Sequence, residues 1–225
     1  MKGTTERLST FVTAVVRQSS HLTDPRVIAA MKTVDRALFV PPEYRSHAYD
    51  VAVISLDGYT LSEPGLVGFM IQSLGLKQTD AVLDVGSGSG YHAAIMSRLC
   101  SAVYGVEVLP HAVERSRTAL RESNCGNVSI LCADGWDGWP EHAPYDAINV
   151  ACAANYLPPT LLRQLKVGGR IIIPVNAEDD SGFPSQDLCL ITKKANAPLD
   201  EHEIPPIVTQ RLSPVRFVPM VHAHH

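Results

Sequence analysis

Between Thr4 and Ser19 the apolar residues Leu8, Phe11, Val12, Val15 and Val16 fall at the spacing of one helix face. Asp24-Pro25 then reads as an N-cap followed by proline at the first helical position. Val27, Ile28, Met31 and Val34 carry this second helix to a stop at Phe39-Val40-Pro41-Pro42. Residues 48–64 are the least regular, with Asp57-Gly58 as a turn signal. After Pro64 the positions Leu66, Val67, Met70, Ile71 and Leu74 predict a third helix, for which Ser62 is the candidate N-cap.

From residue 81 strand and helix patterns alternate. Apolar runs at 81–85, 102–107, 128–132, 145–150 and 170–175 read as strands, and 90–100, 110–123 and 158–166 as helices. Gly168-Gly169 reads as a turn into the last of these strands. The alternation predicts an α/β fold: a doubly wound, mostly parallel sheet with helices on both faces, preceded by N-terminal helices. Beyond Val175 come a polar loop at 178–184, a strand at 186–192, a proline-rich loop at 195–206 and a closing strand at 215–221. These late strands have no helices between them, which predicts antiparallel additions at the C-terminal sheet edge. The expected organisation is one domain over 1–225, with a helical and loop-rich segment to residue 80, a ligand-binding core over 81–176 and edge strands over 177–225.

The chain is organised around Val82-Leu83-Asp84-Val85-Gly86-Ser87-Gly88-Ser89-Gly90-Tyr91. An apolar run ends in an acid, alternating glycines follow, and a helical pattern begins. This is a buried strand, a tight turn and a helix N-terminus whose free N–H groups would face a ligand. A dinucleotide-binding turn has the spacing Gly-x-Gly-x-x-Gly, and here Tyr91 stands where the third glycine would be. A second strand ends in Glu107, about 20 residues downstream, as a ribose-binding acid does. A third ends near Asp134-Gly135. Acids at the C-terminal ends of three strands, where parallel sheets bind ligands, suit a molecule with an ammonium, a ribose and an adenine but no pyrophosphate. S-adenosylmethionine fits that description better than a nicotinamide dinucleotide.

Composition narrows the function classes. With 225 residues, 45% of them hydrophobic, the chain can bury one large core. A net charge of -4 argues against a general polyanion binder. Cys100, Cys125, Cys132, Cys152 and Cys189 are odd in number and without a Cys-x-x-Cys pair, which suggests reduced thiols in a cytosolic protein. No secretory leader pattern and no apolar run of membrane-spanning length are found. His21, His47, His92, His111, His142 and His202 are isolated, and no Gly-x-Ser-x-Gly elbow accompanies them. His222, His224 and His225 cluster at the end with nothing rigid to hold them, so no metal site is expected. Trp136 and Trp139 would either stack on an adenine or roof a hydrophobic edge.

Over roughly residues 24–221 the chain resembles the protein-L-isoaspartate (D-aspartate) O-methyltransferases, a family of class I, Rossmann-like S-adenosylmethionine-dependent methyltransferases. The resemblance rests on Asp35-Arg36-x-x-Phe39-Val40-Pro41, Ala48-Tyr49-Asp50, Gly58-x-Thr60-Leu61-Ser62-x-Pro64, the 83–91 turn and Val103-Tyr104-Gly105-Val106-Glu107. It continues through Asp134-Gly135, Ala143-Pro144-Tyr145-Asp146-Ala147-Ile148, Gln164-Leu165-Lys166-x-Gly168-Gly169-Arg170, Ile173-Pro174-Val175 and Val215-x-Phe217-Val218-Pro219. It implies methyl transfer from S-adenosylmethionine to the α-carboxylate of L-isoaspartyl residues in damaged proteins, an ester that collapses to a succinimide and partly reopens to normal aspartate. It further implies a cytosolic monomer acting on isoaspartyl peptides and proteins; the acidic net charge and the lack of a long apolar run predict no nucleic-acid or membrane partner.

By the same resemblance Ser62 is the active-site residue, orienting the substrate carboxylate through its hydroxyl. Thr60 and Leu61 line the methyl-transfer pocket. Asp84 with Gly86, Ser87, Gly88, Ser89 and Gly90 holds the methionine part, Glu107 and Val108 the ribose, and Asp134-Gly135 the adenine edge. Tyr59 stands where the family commonly has a small residue or Gln, and Ser55-Leu56 where it often has Ile-Gly. Both departures fall in the substrate loop and so bear on peptide preference. Two alternatives stay open on the residues alone: a methyltransferase with another acceptor, and a non-catalytic interaction protein that keeps the cofactor pocket.

Overall fold

The computed structural model describes residues 2–178, 182, 184–195 and 205–223. The chain opens with α1 (Lys2–Gln18) and α2 (Pro25–Met31). Asp24 caps α2 by accepting from the Arg26 amide at 2.8 Å. This helix ends well short of Phe39. Asp35 caps a separate 3₁₀ turn, Arg36–Phe39, by accepting from the Ala37 amide at 3.0 Å. A small hairpin of β1 (Ile54–Ser55) and β2 (Thr60–Leu61) leads into α3 (Pro64–Leu74). The cap of α3 is Glu63 and not Ser62: its two carboxylate oxygens accept from the Gly65 and Leu66 amides, each at 2.7 Å. Those are orphan donors of the first turn, and Glu63 adjoins Pro64 at the first helical position.

The core follows as β3 (Ala81–Val85), α4 (Tyr91–Met96), β4 (Ala102–Glu107), α5 (Pro110–Glu122), β5 (Val128–Cys132), β6 (Tyr145–Val150), α6 (Pro159–Arg163), β7 (Leu165–Glu178), β8 (Pro184–Lys193) and β9 (Ile207–Pro214). In the sheet the order is β5-β4-β3-β6-β7-β8-β9. The first five are mutually parallel, and β8 and β9 add antiparallel. The chain therefore winds outward from β3 to β5 and returns to lay β6 on the other side of β3. That reversal is the switch point at which open α/β sheets form a crevice.

Period-2 alternation sorts the strands' side chains onto two faces. Val82, Val103, Ala147 and Ile172 pack with the cluster that includes Phe11, Met31, Met70, Ile71 and Ile95 from the N-terminal helices and α4. Leu83, Val106, Ile148, Ile171 and Ile173 face the other way, onto Tyr145, Leu161, Leu162 and Leu165. Among the described residues the α-helix on the second face is the short α6, and Trp136 and Trp139 pack on its margin.

Four expectations need correction here. The helix expected over 158–166 is confined to Pro159–Arg163. The Gly168-Gly169 pair lies inside β7, where the register with β6 shifts between Tyr145 and Ala147. Each glycine serves the bulge differently: Gly168 takes φ +79°, and a Cβ at Gly169 would stand 2.8 Å from the Lys166 carbonyl. The helix expected over 90–100 ends at Met96. The closing strand is Ile207–Pro214, not 215–221. It is a largely exposed edge strand, so it carries no apolar alternation to read. The more apolar 215–221 instead crosses the ends of the parallel strands. Ala153 N donates to Val218 O at 2.8 Å, and Met220 N to Ala153 O at 2.7 Å. Residues 196–204 of the proline-rich loop, and most of 179–183, lie outside the described residues, as do His224 and His225. Among the described residues no helix is long and apolar enough to cross a membrane.

Candidate active site

The glycine turn is wired internally. Gly86 N and Ser87 N donate to Val106 O at 2.9 and 3.1 Å, and Gly90 N donates to Ser87 O at 2.8 Å. Gly88 N donates to Glu107 Oε2 at 2.8 Å. The turn therefore does not offer the run of free amides expected from the sequence. Its donors are spent on β4, on Glu107 and on the turn itself, an arrangement with little to hold a pyrophosphate. Gly88 sits at φ +50°, and a Cβ there would meet the Tyr59 ring at 3.3 Å, so close approach and backbone conformation both call for glycine.

Two acids support this turn. Glu107 Oε1 accepts from Leu109 N at 3.0 Å while Oε2 holds Gly88. Asp84 is fully buried: Oδ1 accepts from Asn149 Nδ2 at 2.7 Å and Oδ2 from Ser87 Oγ at 2.9 Å. Burial pushes its carboxyl up to about 6 against the pull of those two donors.

Two cavities lie at the C-terminal strand ends. The larger is a cleft of about 660 Å³, walled by Gly58–Thr60, Val85, Gly86, Gly88, Val106–Leu109, Gly135, Ala151, Cys152 and Val218–Val221. The smaller, about 300 Å³ including its open mouth, is lined by Thr60, Leu61, Ser62, Val67, Gly86–Ser89, Tyr91, His92 and Ala151. Thr60, Gly86, Gly88 and Ala151 belong to both, so the two meet there. The cleft has mostly apolar walls and the Glu107 carboxylate in its lining. Those features fit S-adenosylmethionine.

Of the residues singled out in the sequence, Thr60, Leu61, Ser62, Gly86, Ser87, Gly88, Ser89, Glu107, Val108 and Gly135 line one cavity or the other. Gly90, Asp84 and Asp134 line neither. A Cβ at Gly90 would meet Ser116 of α5 at 3.2 Å, which makes it a packing position. Asp134 accepts from Trp136 N at 2.9 Å, Ala223 N at 3.0 Å and His222 Nδ1 at 3.1 Å. Burial alone would raise its carboxyl, but these donors hold it below the usual range. One ring face of Trp136 stacks on His222, with centroids 5.1 Å apart, and Trp139 packs on Tyr104 and His142.

Several site residues carried no readable role in the sequence. Arg36 is fully buried, and its guanidinium donates to the carbonyls of Ala48, Asp50, Ala52 and Ser62 at 3.0–3.1 Å. It thereby fixes the loop before β1 and the backbone of Ser62. Tyr59 was expected to matter on the peptide side. It lies instead in the wall of the larger cleft, over Gly88, and its hydroxyl accepts from Arg115 Nη1 at 3.3 Å. The 218–221 segment and His92 complete the walls. Only the rule that ligands sit at strand ends pointed toward Ala151 and Cys152 after β6.

The comparisons bear on the family and the fold. The family model described as Protein-L-isoaspartate(D-aspartate) O-methyltransferase (PCMT) matches residues 9–225. Protein-L-isoaspartate O-methyltransferase 2 of Anaeromyxobacter sp. (strain Fw109-5) is 45% identical over 88% of this chain and 76% of its own length. Protein-L-isoaspartate O-methyltransferase 1 of Cupriavidus necator is 41% identical over 94% of this chain and 77% of its own. A solved protein-L-isoaspartate O-methyltransferase, 29% identical, superposes with a TM-score of 0.79 over 93% of this chain, which spans 64% of that protein's length. A Plasmodium falciparum structure in complex with S-adenosyl-L-homocysteine shares the fold, with a TM-score of 0.76 at 24% identity over 95% of this chain and 98% of that one. The chain belongs to the protein-L-isoaspartate(D-aspartate) O-methyltransferase family.

Proposed function

We propose that this protein transfers the methyl group of S-adenosylmethionine to the free carboxylate of L-isoaspartyl, and D-aspartyl, residues in damaged proteins. The observation that carries the reading is the meeting of the two cavities at Thr60, Gly86, Gly88 and Ala151. A mostly apolar cleft lined by Glu107 there joins a narrow cavity lined by Ser62. When bound, S-adenosylmethionine supplies an electrophilic methyl carbon on a sulfonium.

The protein's own residues then have limited work. The acceptor is already ionised at neutral pH, so no strong base is needed. What remains is alignment and exclusion of water. Ser62 donates its hydroxyl to the acceptor carboxylate, and Arg36 keeps the Ser62 backbone in place. Glu107 has spare lone pairs beyond its two amide bonds and accepts from the ribose hydroxyls, with Val108 beside it. Gly135 lies along the adenine edge, and Asp134 anchors the chain end that closes it. Asp84 acts from beneath the turn, through Ser87 and as a negative charge below the methionine ammonium. The segments 1–80, 81–176 and 177–225 work as one domain, since each contributes to the cleft wall. The reading extends to a cytosolic monomer with neither nucleic-acid nor membrane partners. The five free cysteines and the net charge of -4 suit it.

The test is transfer of labelled methyl from S-adenosylmethionine to a peptide with one L-isoaspartyl residue, beside the same peptide with aspartate. Label in the isoaspartyl peptide alone is expected. Label in neither, with S-adenosyl-L-homocysteine still bound, would contradict the reading.

A further inference from the structure

His92 is the second residue of α4 and is only 7% exposed. Its Nε2 is buried and has no hydrogen-bond partner among the described residues. Buried polar side-chain atoms are partnered in the large majority of cases, so an exception calls for an explanation. The ring lies in the wall of the narrow cavity, with Thr60, Leu61, Ser62 and Ser89 as co-lining residues. That cavity is the narrower of the two, with room for a small polar group such as a carboxylate oxygen. Thr60, Ser62, Ser87, Ser89 and Tyr91 bring hydroxyls to this lining; Ser87 donates its own to Asp84, and the Tyr91 hydroxyl, like His92 Nε2, is buried without a partner among the described residues. An acceptor carboxylate has two oxygens: one attacks the methyl carbon, and the other needs a donor. Burial pulls the imidazole down to about 4, so it is neutral at physiological pH. A neutral ring carries a single N–H, which can donate without a competing proton transfer to the nucleophile.

We propose that His92 is a second donor to the acceptor: its Nε2–H holds the oxygen of the isoaspartyl α-carboxylate that does not attack, beside Ser62. The proposal rests on the isoaspartyl reading given above. It assigns the narrow cavity to the carboxylate alone, and the rest of the peptide stays outside.

The test uses the full chain saturated with S-adenosyl-L-homocysteine. A peptide with one L-isoaspartyl residue is compared with the same peptide carrying a carboxamide in place of that α-carboxylate. His92→Leu, similar in bulk, should weaken binding of the acid peptide roughly tenfold or more, the worth of a hydrogen bond to a charged group. Its affinity for S-adenosyl-L-homocysteine should stay within about twofold, and its preference for acid over amide should shrink. His92→Gln, which restores an N–H, should recover most of the loss. On the unaltered protein, the His92 Nε2–H resonance should move downfield with the acid peptide and not with the amide. An unchanged acid-over-amide preference in His92→Leu would overturn the proposal. So would equal losses for peptide and S-adenosyl-L-homocysteine, or a resonance that ignores the peptide. If the unaltered protein methylates no isoaspartyl peptide, the underlying reading fails, and the proposal with it.

Discussion

Glu107 meets two demands with one carboxylate: it braces Gly88 and Leu109, and it faces the cleft. Glu107→Ala should therefore weaken S-adenosyl-L-homocysteine binding by about 1–3 kcal/mol, the cost of polar groups left unpaired. Calorimetry giving unchanged affinity would remove Glu107 from the binding site. Asp84 and His92 are buried titratable groups with opposite signs. The Asp84 carboxyl is raised from 3.8 to about 6 in the folded chain. Its contribution is present below the ordinary value and is lost as pH rises through about 6, on the order of 3 kcal/mol. His92 is lowered from 6.5 to about 4, so acidification through that window destabilises the fold. Asp84→Asn removes the first slope and leaves the second. The stability of the unaltered protein relative to this variant should fall between pH 4 and 6, read from urea midpoints. Parallel pH profiles would show that Asp84 does not titrate there.

At the scale of elements, the start of α3 separates a structural residue from a chemical one. Glu63 caps the helix, so Glu63→Ala should cost about 1 kcal/mol of stability. Ser62→Ala should leave stability within about 0.5 kcal/mol and lower the methyl-transfer rate roughly tenfold or more, as loss of a donor to a charged group does. Thermal unfolding and initial rates on the two variants distinguish them, and a reversed pattern would return Ser62 to the cap. The sequence read as serine before proline suggests a cap because serine is a common one. Nothing local reveals that the longer Glu63 side chain reaches two amides. The strands of the parallel core were legible because both their faces are buried and their apolar runs are continuous. The exposed edge strand Ile207–Pro214 carried no such pattern. The glycine turn, Glu107 and Gly135 were legible through spacing and motif, whereas Thr60 to Ser62 were legible only through the family resemblance. Arg36 was not, because its partners are carbonyls, which every residue has. Asp84 and Asp134 were legible as acids at strand ends, but not as acids already engaged with Asn149, Ser87 and the chain end.

The whole molecule closes its cleft with pieces far apart in sequence: Gly58–Thr60 before α3, the strand ends of the core, and Val218–Val221 after the last strand. Binding in that cleft should therefore stabilise the fold as a unit, by about 2.7 kcal/mol at a hundredfold excess of ligand over Kd. Hydrogen exchange with and without S-adenosyl-L-homocysteine should show protection rising together in residues 58–62, 86–90 and 218–221. Protection confined to the core would mean that the other two segments do not close on the ligand. The account's central claim is the division of labour between two joined cavities. A crystal structure of the protein with S-adenosyl-L-homocysteine and an L-isoaspartyl peptide tests it most directly. The account predicts the ribose on Glu107, the sulfur at the junction of Thr60 and Gly88, and the α-carboxylate in the narrow cavity beside Ser62. A peptide carboxylate lying outside that cavity, or an adenosyl group outside the cleft, would contradict it.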